Sequence, residues 1–222
     1  MPKAPTQPVA APKRLRSSSP AIRAEANAAS TAGDGLADGD FDADGITSLE
    51  MGAGGLFDLA GQAQVNADVS ASSVSGTADA FSGDDNLDGS ISTEASTIAG
   101  LTNVSADGAS DGSILGTAFG SFSTSAENIG GDGDDASASA SQSLTGISSA
   151  NIDFGGTGSI SAIAQDSNFV EASSVMGDAS ATASVDAIGL DGGNIHIASD
   201  AVLTSSVSVD SSADSSSVGG AS

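Results

Sequence analysis

The chain has no cysteine, tryptophan or tyrosine, and only one histidine. Without cysteine there can be neither a disulfide framework nor a thiolate metal site. No lysine or arginine follows Arg23, and no proline follows Pro20. A phosphate-cradling G-x-x-x-x-G-K-[ST] loop is therefore excluded beyond the first residues. No G-x-S-x-G nucleophile elbow sits in a strand–turn–helix setting. The N-terminus lacks the apolar core of a signal peptide, and no apolar run reaches the roughly 20 residues of a membrane-spanning helix. Membrane insertion and Sec-type secretion are not expected. His196, in N-I-H-I-A, alternates with Ile195 and Ile197, which places it on the opposite face of a strand. That is a surface or interface position, and the chain is expected not to be an enzyme.

Charge divides the chain in two. All five basic residues lie in the first 23 positions and all five prolines in the first 20, while every one of the 29 acids lies at or after Glu25. The boundary falls near residue 30, between a basic N-terminal arm (1–30) and an acidic body (31–222). With no lysine or arginine after residue 30, the body's carboxylates have no side-chain cation to pair with, so they repel one another and any nucleic-acid phosphate. Leu, Ile, Val and Phe make up 43 of 222 residues. A core built from so few large side chains must be thin, and an acidic chain that orders only on its partner is the competing expectation.

The body is repetitive. Residues Asp40 to Glu50 read D-F-D-A-D-G-I-T-S-L-E, and Asp84 to Glu94 read D-D-N-L-D-G-S-I-S-T-E. Gly-Leu or Gly-Ile pairs follow at Gly55-Leu56, Gly100-Leu101, Gly146-Ile147 and Gly189-Leu190. Four units starting near 40, 84, 132 and 178 give the fixed period of a stacked-repeat architecture. Period-two alternation at 69–75, 136–144, 179–185, 194–199 and 205–210 marks strands, with Ala, Val or Ile on one face and Ser, Thr or Asp on the other. G-T-A-F-G-S-F at 116 aligns with A-I-A-Q-D-S-N at 162 and S-S-V-S-V-D-S at 205. Phe119 and Phe122 against Phe169 predict a sparse aromatic ladder. The predicted fold is all-β: a β-solenoid or trimeric β-helix, with a sandwich-like stack of short strands as the alternative.

In the Asp40 stretch, Asp40, Asp42 and Asp44 alternate, Gly45 supplies a sharp turn, and Glu50 stands near the end. Alternate residues of a turning loop aim carboxylates at one centre, as a hard calcium ion with six to eight oxygen ligands requires. The stretch resembles the calcium loops of EF-hand-like and thrombospondin type 3 repeats, departing from them where Met51 occupies the twelfth position. The resemblance implies calcium at Asp40, Asp42, Asp44 and Glu50, and in the second stretch at Asp84, Asn86, Asp88 and Glu94. The competing reading is a set of Asx and glycine turns with solvated acids.

In the arm, the prolines favour an extended, polyproline-leaning segment, with a short Ala-rich helix predicted over 21–31. Lys3, Lys13, Arg14, Arg16 and Arg23, with Leu15 and Ile22 as apolar pegs, are candidates for contacting an acidic groove on a partner. A basic arm joined to an acidic, small-residue β body resembles the accessory structural proteins of tailed-phage virions, including phages of marine cyanobacteria: fibres, decoration proteins and appendages. That resemblance implies a virion location, attachment to a capsid, portal or tail component, and a homotrimer. The alternative is an extracellular, calcium-binding repeat protein or adhesin.

Overall fold

The computed structural model describes residues 13–18, 22–39, 41–47, 49–51, 56–82, 96–109, 111–130 and 134–219. Fourteen strands run in chain order: β1 (Lys13–Ser18), β2 (Ile22–Ser30), β3 (Gly35–Gly39), β4 (Ala43–Thr47), β5 (Glu50–Met51), β6 (Leu56–Ser73) and β7 (Ala78–Ser82). There follow β8 (Ser96–Thr102), β9 (Ser105–Ala109), β10 (Asp111–Asn128), β11 (Ala136–Phe154), β12 (Gly158–Ser174), β13 (Ala179–Ile197) and β14 (Ala201–Ser217). They form two sheets. The first is β1 and β2, then β6, β10, β12 and β14; the second is β3 to β5, then β7 to β9, β11 and β13. Among the described residues every pairing is parallel. The chain thus passes alternately through one sheet and the other, and each pass lays its strand beside the previous one in the same sheet.

In-register partners are regularly spaced. Ile22 pairs with Val65, Gly35 with Ala78 and Ala136 with Ala179, each 43 residues apart. Gly112 pairs with Gly158 at a spacing of 46. Residues 116, 162 and 205 fall in one register, as the sequence alignment predicts. The spacing lengthens to 55 between Ala43 and Ile98, because residues 83–95, outside those described, separate β7 from β8.

Several expectations are corrected. Ile22–Ser30 is a strand, not part of a helix: Ala24, Ala26 and Ala28 are half-buried on one face while Arg23, Glu25 and Asn27 face solvent. Period two, supported by an existing edge at β6, overrides the helix propensity of alanine. Lys13–Ser18 likewise pairs with β6, so these stretches of the arm are strands of the first sheet. The aromatic ladder does not form: Phe122 is buried beside Asn168, while Phe169 pairs with Ser123 and is exposed. A displacement of one residue along a strand puts a side chain on the opposite face. The register mate of Gly100-Leu101 is Gly45-Ile46, and Leu56 pairs instead with Asp111.

The core lies between the sheets and is graded along the strands. At one end Leu59, Leu101, Ile114, Ile147, Ile152, Phe154 and Ile160 pack together; at the other alanines predominate, joined by Val69 and Val170. Burial of each large side chain stabilises by about 1.5–3 kcal/mol, so the bulky end carries most of the hydrophobic gain. Between them the sheets pinch. A Cβ at Gly100 would lie 2.4 Å from the Thr117 nitrogen and 2.7 Å from the Gly146 oxygen, and one at Gly116 would lie 2.3 Å from that same oxygen. Only glycine allows this approach. Beyond it the second sheet bends through a column of left-handed residues, Asn103 (φ 51), Ser149 (φ 55) and Gly192 (φ 61).

Two substitutions test this geometry with opposite signs. Gly100→Ala places a methyl group against backbone that cannot move aside, and should destabilise by about 1–3 kcal/mol. Ser149→Gly relieves a left-handed serine and should stabilise by about 0.5–1 kcal/mol once glycine's added chain entropy is included. Urea unfolding of both variants beside the parent checks the pair of signs.

Candidate functional site

Acids at the turns bond to the neighbouring pass of chain. Asp34 Oδ1 accepts from the Thr77 amide (3.0 Å), Asp42 Oδ1 from the Thr97 amide (2.9 Å) and Asp135 Oδ1 from the Asp178 amide (2.8 Å). Asp111 Oδ1 accepts from both the Thr157 amide (2.7 Å) and its hydroxyl (2.9 Å). In each case the donor is the register equivalent of the acid, one layer on. The Thr157 bonds hold the Asp111 carboxyl below its usual pKa. At the Asp34–Thr77–Asp135 corner, burial raises the Asp79 pKa. The Thr77 hydroxyl lowers it in part, and the nearby Asp34 and Asp135 push it further up.

A second row runs beside the same corner. Ser73, Asn128, Ser174 and Ser217 are register equivalents, and each donates a side-chain hydrogen bond to a turn carbonyl of the preceding pass: Gly33, Gly76, Asp134 and Gly177, at 2.6–3.0 Å. The serine-rich and Asp-rich composition thus has a mechanical use in satisfying backbone groups where strands end.

Of the eight calcium candidates, Asp42, Asp44 and Glu50 lie among the described residues. Asp42 bonds to Thr97 as above, Asp44 is exposed, and Gly45 lies within strand β4 and not in a turn. Glu50 begins β5. Asp40, Asp84, Asn86, Asp88 and Glu94 lie outside the described residues, as does Lys3. Among the described residues, no three His, Cys, Asp or Glu side chains converge in a metal-binding group. His196 stands on the outer face as predicted, its Nδ1 2.8 Å from Asp153 Oδ1, with both side chains exposed.

The sequence reading missed a polar cluster inside the core. Gln142, Asp166 and Asn168 are buried among the apolar side chains. Asn168 donates to Gln142, and Gln142 Nε2 lies 3.5 Å from Ser82 Oγ. Among the described residues neither Asp166 oxygen has a well-formed hydrogen bond, and Asn168 Oδ1 and Thr124 Oγ1 also find no partner. Asp166 fits because its register neighbour is Gly120, where a Cβ would lie 2.3 Å from Asp166 Oδ1. Burial lifts the Asp166 pKa to about 6, against the opposing effect of the Ser167 amide. The signal was available. In A-I-A-Q-D-S-N-F-V the parity that buries Ala162, Ala164 and Val170 also buries Asp166 and Asn168. On the outer side, a shallow depression of about 530 Å³ lies among Gln64, Asn66, Phe119 and Gln165.

The raised Asp166 pKa has a definite sign. The folded state holds this proton more tightly than the unfolded chain, so the site's relative stabilisation is full below pH 3.8, declines as pH rises and is lost above about 6. Asp166→Asn should remove that pH dependence and raise stability at pH 8 by on the order of 1–3 kcal/mol, the usual cost of an unpaired buried polar group. Thermal melts of both proteins at pH 4, 6 and 8 read this directly. No family model, curated protein or solved structure shows significant similarity to the chain.

Proposed function

We propose that the chain is a non-enzymatic structural protein: a β-solenoid in which each circuit adds one layer to both sheets. Its basic N-terminal segment attaches it to a larger protein assembly, and its acidic body projects from that assembly. The observation that carries this reading is the use made of the polar side chains at the turns. Asp34, Asp42, Asp111 and Asp135, with Ser73, Asn128, Ser174 and Ser217, bond one layer to the next. They brace a rod. Of the residues proposed for attachment, all but Lys3 are described: Lys13, Arg14, Leu15, Arg16, Ile22 and Arg23 belong to β1 and β2 in the first layer, at the end of the stack. The assembly that fits the resemblance drawn from the sequence is a phage virion, with a capsid, portal or tail component as the partner.

One observation favours a second reading, an extracellular calcium-binding repeat protein. Ser82 and Ser96 pair with Ala140 and Gln142 of β11, only two register positions apart. The sequence between them contains the D-D-N-L-D-G-S-I-S-T-E stretch.

Circular dichroism and thermal melts of the full chain, with calcium and with chelator, separate the two. The structural reading expects a β spectrum and an unchanged melting temperature after chelation, and co-sedimentation of the native protein with particles far larger than its 21.1 kDa. A calcium-dependent fold would instead lose about 2.7 kcal/mol on chelation from a hundredfold excess over Kd. A coil spectrum in both conditions sinks both readings.

A further inference from the structure

We propose that the chain stacks head-to-tail on a second copy of itself, with β13 and β14 of one copy pairing in parallel with β1 to β5 of the next. This rests on the docking role proposed for the N-terminal segment: the first copy of a rod would hold the larger assembly and each following copy would hold the one before it. Among the described residues both ends of the stack carry open edges. Within the described residues β14 pairs only with β12 and β13 only with β11, while β1 and β2 pair only with β6. An unpaired strand edge is a template for another strand.

The last layer also leaves its inward face half uncovered. Leu203, Val207 and Val209 are 56%, 48% and 45% exposed, yet their register equivalents Ile160, Ala164 and Asp166 are buried. What separates the two sets is the presence of a following layer. The first layer has the residues to supply one. Following the pairings through the sheet, the column Leu59–Ile114–Ile160–Leu203 begins at Leu15. The column Val69–Thr124–Val170–Ala213 begins at Ala26. In the second sheet Leu101–Ile147–Leu190 begins at Ile46. A first layer placed on the last layer of another copy would continue each column in register.

Charge points to the same pairing. β1 and β2 contain Lys13, Arg14, Arg16 and Arg23 with one acid, Glu25; β14 contains Asp210 and Asp214 and no cation. In the continued register Arg23 falls opposite Asp210, and Asn27 opposite Asp214. In the second sheet no acid of β3 to β5 meets an acid of β13. Asp38 falls opposite Thr182, Asp44 opposite Ile188 and Glu50 opposite Asn194. The net charge of −24 repels the bodies at long range, but at 0.15 M salt this is screened beyond about 8 Å. Such a contact does not close on itself, so it produces rods of increasing length and not the closed trimer expected from sequence.

Because the chain has no cysteine, the register can be read by cross-linking. Asn27→Cys and Asp214→Cys are single, exposed changes on β2 and β14. Strands lie about 4.8 Å apart, within the Cα separation of a disulfide. Mixed and oxidised at 0.15 M salt, the two variants should give a covalent dimer of one copy each. Its yield should exceed that from Asn27→Cys mixed with the off-register Ser206→Cys by about tenfold. Val207→Lys with Val209→Lys, introduced into the Asp214→Cys chain, should abolish the cross-link while the β spectrum persists. A monomeric mass at all concentrations, or equal yields from the two cysteine pairs, overturns the proposal. Attachment of the N-terminal segment to a different assembly would be unaffected by either result, since it is read by co-sedimentation of the native protein.

Discussion

Parallel, in-register hydrogen bonding between successive passes is the constraint from which the rest of this structure follows. Once β10 has aligned with β6 and β12 with β10, every side chain stands directly over its equivalents, and each position becomes a column. A column must be filled by residues that tolerate being stacked. Leu59, Ile114 and Ile160 do so by packing, and Ala63 and Ala118 do so by being small. Gly45, Gly100, Gly146 and Gly189 do so by having no side chain where the two sheets touch. Small residues give thin layers, and thin layers bury little each, so cohesion must come from many repeated contacts along the stack.

The same constraint accounts for how an acidic chain folds with no lysine or arginine after residue 23. Stacked carboxylates would repel if they occupied the same column in successive layers. At the corners they largely do not: Asp34 is followed by Thr77, Asp42 by Thr97 and Asp111 by Thr157, and the threonine amide receives the carboxylate. A backbone N–H here takes the place of the missing side-chain cation. Where Asp135 is followed by Asp178, the bond is again to the amide, so one carboxylate is held in place while the next remains at the exposed turn. Asp166 receives no amide from the next layer, and its burial raises its pKa where the Thr157 bonds lower that of Asp111. The two acids therefore act on stability in different pH windows, Asp111 losing its bonded form below the ordinary carboxylate range and Asp166 imposing its cost above it.

Much of the fold was legible because period two is a strong signal in long strands. The alternating runs at 136–144, 179–185 and 205–210 lie inside β11, β13 and β14, and the alignment of residues 116, 162 and 205 matches the observed register. Errors arose where composition competed with periodicity. The alanines of residues 22–30 have high helix propensity, but the neighbouring β6 edge rewards the extended form. Phe169 was misplaced by one position, enough to reverse its face. Gly45 was read as a sharp turn from the D-x-D-x-D-G spacing, but it lies within the strand Ala43–Thr47. Asp166 and Asn168 were overlooked because polarity suggested exposure, although their parity placed them inside.

In a stack of few layers the ends weigh heavily. Each interior layer is covered on both sides, while the first and last are covered on one, and here the last layer is exposed along nearly all of β14. A serine-rich strand tolerates such exposure, since hydroxyls and backbone can bond to water. Leu203, Val207 and Val209 do not fit that account, because they stand on the inward parity where the preceding layers are buried. A terminal cap would be expected to replace these residues with polar ones, as repeat proteins need at a solvent-facing end. Their retention, at positions aligned with an apolar and basic first layer, is the feature that the proposed head-to-tail pairing would use.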